Sequence, residues 1–125
     1  MATDLDLRGR AVVSVAKYDY TLWLKLMGGY GITIESPLTI DDVVLSPQDD
    51  PVGEFGPVRR LAGLTIEKAT VDKIGTLQVH FRDGTRLVVE PDPHYEAWNV
   101  SRPDGSLIVC RPGGGLSRWA PPPER

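Results

Sequence analysis

The chain states one pattern twice. Leu7-x-Gly9-x-x-Val12-x-x-Val15 returns as Leu61-x-Gly63-x-x-Ile66-x-x-Ala69. After a one-residue adjustment, Leu22-x-Leu24-x-Leu26 answers to Leu77-x-Val79-x-Phe81, Gly29 to Gly84, and Ile32-x-Ile34-Glu35 to Leu87-x-Val89-Glu90. An internal repeat limits architecture strongly, because each copy is expected to build the same supersecondary unit. The copies occupy residues 7–35 and 61–90.

Within each copy the apolar residues alternate, which is the period of a half-buried strand. In the first copy, residues 11–17, 21–26 and 30–35 read as strands. Leu22, Leu24 and Leu26 lie on one face, with Trp23 and Lys25 on the other. In the second, residues 65–71, 76–81 and 86–90 read the same way, with Gln78 and His80 facing outward. Gly28-Gly29 and Asp83-Gly84 mark the tight turns, and a two-residue type I′ hairpin is expected at Asp83-Gly84. Residues 57–62 suit one or two helical turns closed by Gly63.

Two segments fall outside this pattern. Residues 36–57 join the copies, with short edge strands expected at 38–40 and 43–45. Residues 95–119 hold a C-terminal hairpin, strand 97–101 returning as 106–110 across Arg102-Pro103-Asp104-Gly105. That turn reads as type I with a bulge. The expectation is a single, mainly β domain over residues 1–125. About eight antiparallel strands would form a sandwich or a partly open barrel. Two three-stranded meanders would pack face to face about a pseudo-twofold axis, and the last hairpin would extend one sheet.

Composition excludes several classes. A lone cysteine, Cys110, rules out an intrachain disulfide framework and points to a reducing, cytoplasmic setting. No apolar run approaches the length of a membrane helix, and the N-terminal residues show no signal-peptide pattern. The net charge is -3, and its distribution is uneven. Between Leu26 and Val58 there is no Lys or Arg, while Glu35, Asp41, Asp42, Asp49, Asp50 and Glu54 fall there. That is the wrong sign for nucleic acid, and it suits a basic partner protein or a solvated loop.

Chemistry-bearing residues are few. Asp92-Pro93-His94-Tyr95-Glu96 sets a histidine between carboxylates, the elements of a general base, but without a nucleophile at a recognisable spacing. His80 stands alone on an outward face. Two His and one Cys do not assemble a usual zinc site, residues 41–54 lack calcium-loop spacing, and no cofactor is expected. Pro112-Gly113-Gly114-Gly115 lacks the lysine and helix of a phosphate loop and reads as a wide, flexible turn. Cys110, in the apolar stretch 107–110, reads as an inert, half-buried thiol. Trp23 is the conspicuous aromatic, because it faces outward where the second copy carries Gln78. It marks either a contact surface or a side chain packed under the acidic segment.

The C-terminal third carries Tyr95-Glu96-Ala97-Trp98, then Asp104-Gly105, Val109-Cys110, Pro112-Gly113-Gly114 and Trp119, preceded by Phe81-x-Asp83-Gly84-x-x-Leu87-x-Val89. This resembles DUF6188, a family of small bacterial proteins of unknown function common in actinobacteria. The resemblance covers residues 61–119 well and the N-terminal copy loosely. Gly115 departs from it, since a polar residue is expected before Leu116. The resemblance implies a small cytosolic β-rich domain in which Trp98 anchors the last hairpin, and it carries no activity. In size and style it is similar to immunity proteins of toxin systems, an analogy only.

The function expected from these readings is a non-enzymatic protein-binding domain, in its specific form an immunity-type inhibitor of a toxin. Its surface would use Trp23, Asp41, Asp42, Asp49, Asp50, Glu54, Phe55, His94, Tyr95 and Glu96. The alternatives are a homodimeric assembly domain, and a small-ligand binder or enzyme with a cleft near His94 and Glu96.

Overall fold

The computed structural model describes residues 2–18, 21–46 and 56–119. Among them are twelve strands and one short helix: β1 (Thr3–Asp4), β2 (Val12–Tyr18), β3 (Thr21–Leu26), β4 (Tyr30–Ile34), β5 (Leu38–Ile40), β6 (Val43–Leu45), α1 (Gly56–Arg59), β7 (Ile66–Val71), β8 (Leu77–Phe81), β9 (Arg86–Val89), β10 (Trp98–Ser101), β11 (Leu107–Cys110) and β12 (Leu116–Trp119). They form two six-stranded antiparallel sheets. The first runs β1-β7-β8-β9-β5-β6 and the second β12-β11-β10-β4-β3-β2. The sheets do not close into a barrel, and the inward side chains of both make one core. The sandwich expectation therefore holds, with β1 and β12 added to the strands that the sequence suggests.

The two meanders, β2-β3-β4 and β7-β8-β9, lie in different sheets, and the structure extends their equivalence. Trp98 and Val100 of β10 pair with Ile34 and Ile32 of β4. Ile40 of β5 pairs with Leu87 of β9, the counterpart of Ile32. Thus Ile40 corresponds to Val100, and Leu38 to Trp98. All four side chains are buried. The segment after each meander is the same hairpin, and each hairpin crosses to the other copy's sheet. The equivalence therefore runs on beyond the repeat read from the sequence, from about Leu7 to Leu45 and from Leu61 to Cys110. Sequence similarity hides this because Leu38 faces Trp98 in the comparison, and because the crossing takes three residues (35–37) in one copy and eight (90–97) in the other.

The pseudo-twofold axis passes close to Ala11 and Thr65, equivalent residues that form an antiparallel bridge with each other. The surrounding hydrogen bonds come in matched pairs. Gly9 N–H donates to Ile66 O and Gly63 N–H to Val12 O, both at 2.8 Å; Val12 N–H donates to Leu64 O at 2.8 Å and Ile66 N–H to Arg10 O at 2.9 Å. Gly9 and Gly63 hold φ of 86° and 88°, a left-handed conformation that costs any residue with a Cβ. Both copies also break register at the same place, between Val12 and Ser14 in β2 and between Ile66 and Lys68 in β7.

The Asp83-Gly84 turn differs from expectation. Gly84 N–H donates to Phe81 O, Phe81 N–H donates to Thr85 O, and only Gly84 takes positive φ, at 96°. This is a type I turn with a glycine bulge, not a two-residue type I′ turn. The same bonds close 102–106, as the sequence there suggests. The right-handed twist of the strands suits either solution, and the longer loop lets Asp83 keep an ordinary φ.

Candidate functional site

Alternation along β3 points Leu22, Leu24 and Leu26 into the core and leaves Trp23 and Lys25 outside. Register then sets the outer face of the second sheet in two rows. One runs Ala16, Trp23, Thr33, Asn99, Val109, Ser117, and the other Ser14, Lys25, Gly31, Ser101, Leu107, Trp119. Gly31 supplies no side chain to this face, and a Cβ there would meet Ser101 Oγ at 3.0 Å. The result is a trough of 330 Å³ whose lining includes Trp23, Lys25, Tyr30, Gly31, Thr33 and Ser101. Trp23 is 53% exposed on its flank.

The trough offers an indole face, an ammonium and the hydroxyl-bearing side chains of Tyr30, Thr33 and Ser101. Those groups suit docking of an amphipathic surface, and they include no nucleophile–base pair. The second copy shows what makes it. The counterparts of Trp23 and Gly31 are Gln78 and Arg86, so the equivalent face of the first sheet has neither the aromatic flank nor the bare floor. Trp119, 62% exposed, is on the same outer face, four interstrand spacings or roughly 19 Å away.

The other sequence candidates lie elsewhere. Asp41 and Asp42 make the two-residue turn between β5 and β6. Asp41 takes φ 53°, and its carboxylate accepts from the Arg86 N–H at 3.1 Å, so it forms the turn. Asp42 is exposed beside it. Asp49, Asp50, Glu54 and Phe55 lie outside the described residues. His94, Tyr95 and Glu96 are exposed on the crossing loop 90–97. Asp92 shapes that loop by accepting from the N–H groups of His94 at 2.8 Å and Tyr95 at 3.1 Å. Tyr95 therefore projects outward and does not pack on the sheet end.

The glycine turn after β11 is pinned, not wide and flexible. Gly113 N–H donates to Asp92 O at 2.7 Å, and Gly114 N–H to Arg111 O at 2.9 Å. A Cβ on Gly114 would collide with the Ile74 carbonyl oxygen. With those N–H groups aimed at carbonyls of the chain itself, the turn is no phosphate cradle. It leads into β12, a strand that the prolines beyond it conceal in the sequence.

Cys110 is fully buried, and its thiol lies 3.5 Å from Gly75 O as a donor. Burial pushes its pKa up, and the Asp72 carboxylate adds to the shift against a lowering by the Ala97 backbone. It is an inert thiol, more buried than expected. Trp98, 1% exposed, anchors the last hairpin as the resemblance implies. Among the described residues, no group of three or more His, Cys, Asp or Glu is placed to hold a metal ion, and no helix is long and apolar enough to cross a membrane.

Sequence reasoning places Trp23 on the outer face and misses the floor and far wall of the trough beside it. The available signal was Gly31 standing where the second copy has Arg86. A family model described as "Family of unknown function (DUF6188)" matches residues 3–120. No curated protein and no solved structure matches the chain.

Proposed function

Because the chain belongs to DUF6188, a family of unknown function, we propose its role from geometry: a non-enzymatic protein-binding domain that docks a partner on the outer face of the second sheet. The observation that carries this reading is Trp23, half-exposed beside a trough that the fold does not require. The internal copy builds the same sheet with Gln78 and Arg86 at the equivalent positions. Exposed aromatics beside a concave apolar surface are the usual anchors of protein interfaces.

The narrower form is an immunity-type inhibitor of a basic toxin in the cytoplasm. The acidic stretch 41–54 supports it, since complementary charge speeds encounter; Asp41 and Asp42 are its exposed described members. A buried, unpaired thiol suits a reducing compartment. The test is co-expression with the toxin-like gene nearest the native locus, using wild type and Trp23→Gln. Rescue by wild type and its loss in a variant of unchanged melting temperature supports the reading. Equal rescue, or none, removes it.

A second reading is a homodimer through β6. This strand edges the first sheet, with Val43 and Val44 both exposed, and bare apolar edges invite pairing. A clean monomer by light scattering at high concentration would remove it.

A further inference from the structure

Two cationic side chains flank a histidine in one row on the outer face of the first sheet. Lys68 of β7 pairs with His80 of β8, and His80 pairs with Arg86 of β9. Lys68 and Arg86 are exposed and His80 is half-buried. Among the described residues, none of the three lies within ion-pairing distance of a carboxylate, whereas Arg8 and Arg82 share Glu67 at 3.0 and 3.4 Å. Asp41 reaches only the backbone N–H of Arg86. His80 is therefore not isolated, as alternation alone suggests. It sits between two cations.

The duplication shows that the fold does not demand two cations in this row. The counterparts of Lys68, His80 and Arg86 are Ser14, Lys25 and Gly31. The same architecture closes with one cation in that row. Thr70 and Gln78, half-buried in the adjacent row, add a hydroxyl and an amide beside the charges.

We propose that this row binds a compact, multiply charged phosphate ligand of the oligophosphate class. Arg86 brings a planar fork that matches phosphate oxygens, and Lys68 brings a mobile point charge. Their long stems let both heads converge over His80, whose imidazole supplies a further N–H donor. The row lies on the opposite sheet from the Trp23 trough, and the proposal is independent of the protein-docking reading. Apart from His80, the outward rows Lys68-His80-Arg86 and Thr70-Gln78-Val88-Thr39 hold no aromatic for stacking a base. This disfavours single-stranded nucleic acid.

The test is calorimetric titration of the full chain with tripolyphosphate at low and at physiological salt. Wild type is expected to bind one equivalent. Arg86→Gln and Lys68→Ser are each expected to weaken binding about tenfold, with melting temperatures checked in parallel. Arg118→Gln, an exposed cation on β12, is expected to bind as wild type does. In a proton–nitrogen spectrum, the largest shifts should fall at residues 68, 80 and 86. Absence of binding overturns the proposal, as does equal weakening by Arg118→Gln, which marks diffuse attraction. Tighter binding of a single-stranded oligonucleotide of equal charge also overturns it.

Discussion

The indole N–H of Trp98 donates to the carbonyl oxygen of Gly75 at 2.8 Å, in a buried bond that joins a turn of the first sheet to a strand of the second. Replacing the indole with Trp98→Phe leaves that carbonyl with the weak thiol contact of Cys110 and opens a small cavity. The expected loss is about 2–3 kcal/mol, measured by urea unfolding with the slope unchanged. In the melting temperature this is a drop of roughly 8–12 °C.

Pseudo-symmetry makes a paired prediction. Gly9→Ala and Gly63→Ala each force a Cβ into positive φ at matched sites, and nothing lies within 4 Å of either added atom. The cost is therefore conformational and should be about 1–2 kcal/mol in both. A difference beyond about 1 kcal/mol in side-by-side denaturation would show that the two sites are not energetically equivalent.

Cys110 should resist alkylation in the native state. Its raised pKa means that the folded chain holds the proton more tightly than the unfolded chain. The linked stability is full below the unfolded-state pKa and is lost as pH rises from there through the folded value. Iodoacetamide labelling at mildly alkaline pH should be slow in buffer and fast in urea. Equal rates would contradict the burial.

Asp104 behaves in the opposite sense. Ser106 donates to its carboxylate through the hydroxyl at 2.6 Å and the backbone N–H at 2.8 Å, and the side-chain bond leads in holding its pKa below the ordinary value. The linked stability is present above the unfolded-state value near 4 and is lost as pH falls through the folded one. A carboxyl carbon titration should place the Asp104 midpoint below that of a free aspartate. Ser106→Ala should move it upward.

Trp23→Gln gives the first copy the residue of the second. It should change stability by less than about 0.5 kcal/mol, as surface substitutions do. It should also remove part of the red-shifted tryptophan emission and leave that of the exposed Trp119. A larger destabilisation would make Trp23 a packing residue and would undercut its role as an anchor.

Much of the fold is visible in the residues. Alternation places all six meander strands to within a residue or two, and β5 and β6 to the residue. Three features are not visible. Which sheet a strand joins is a long-range fact, and alternation says only which face is apolar. β1 has two residues and no pattern of its own; it exists because β7 offers Val71 and Thr70 as partners. β12 has one apolar position toward the core, Leu116, and depends on β11 for its register. The site divides likewise: an outward Trp23 follows from counting along β3, while the trough follows from the absent side chain of Gly31 on a neighbouring strand.

The exchange of hairpins has a mechanical result. Residues 2–46 give three strands to each sheet, and residues 56–119 give three to each. Neither half can leave without stripping three strands from both layers at once. A cut between the halves should leave two interlocked pieces that stay associated, and global unfolding should be a single event in hydrogen exchange.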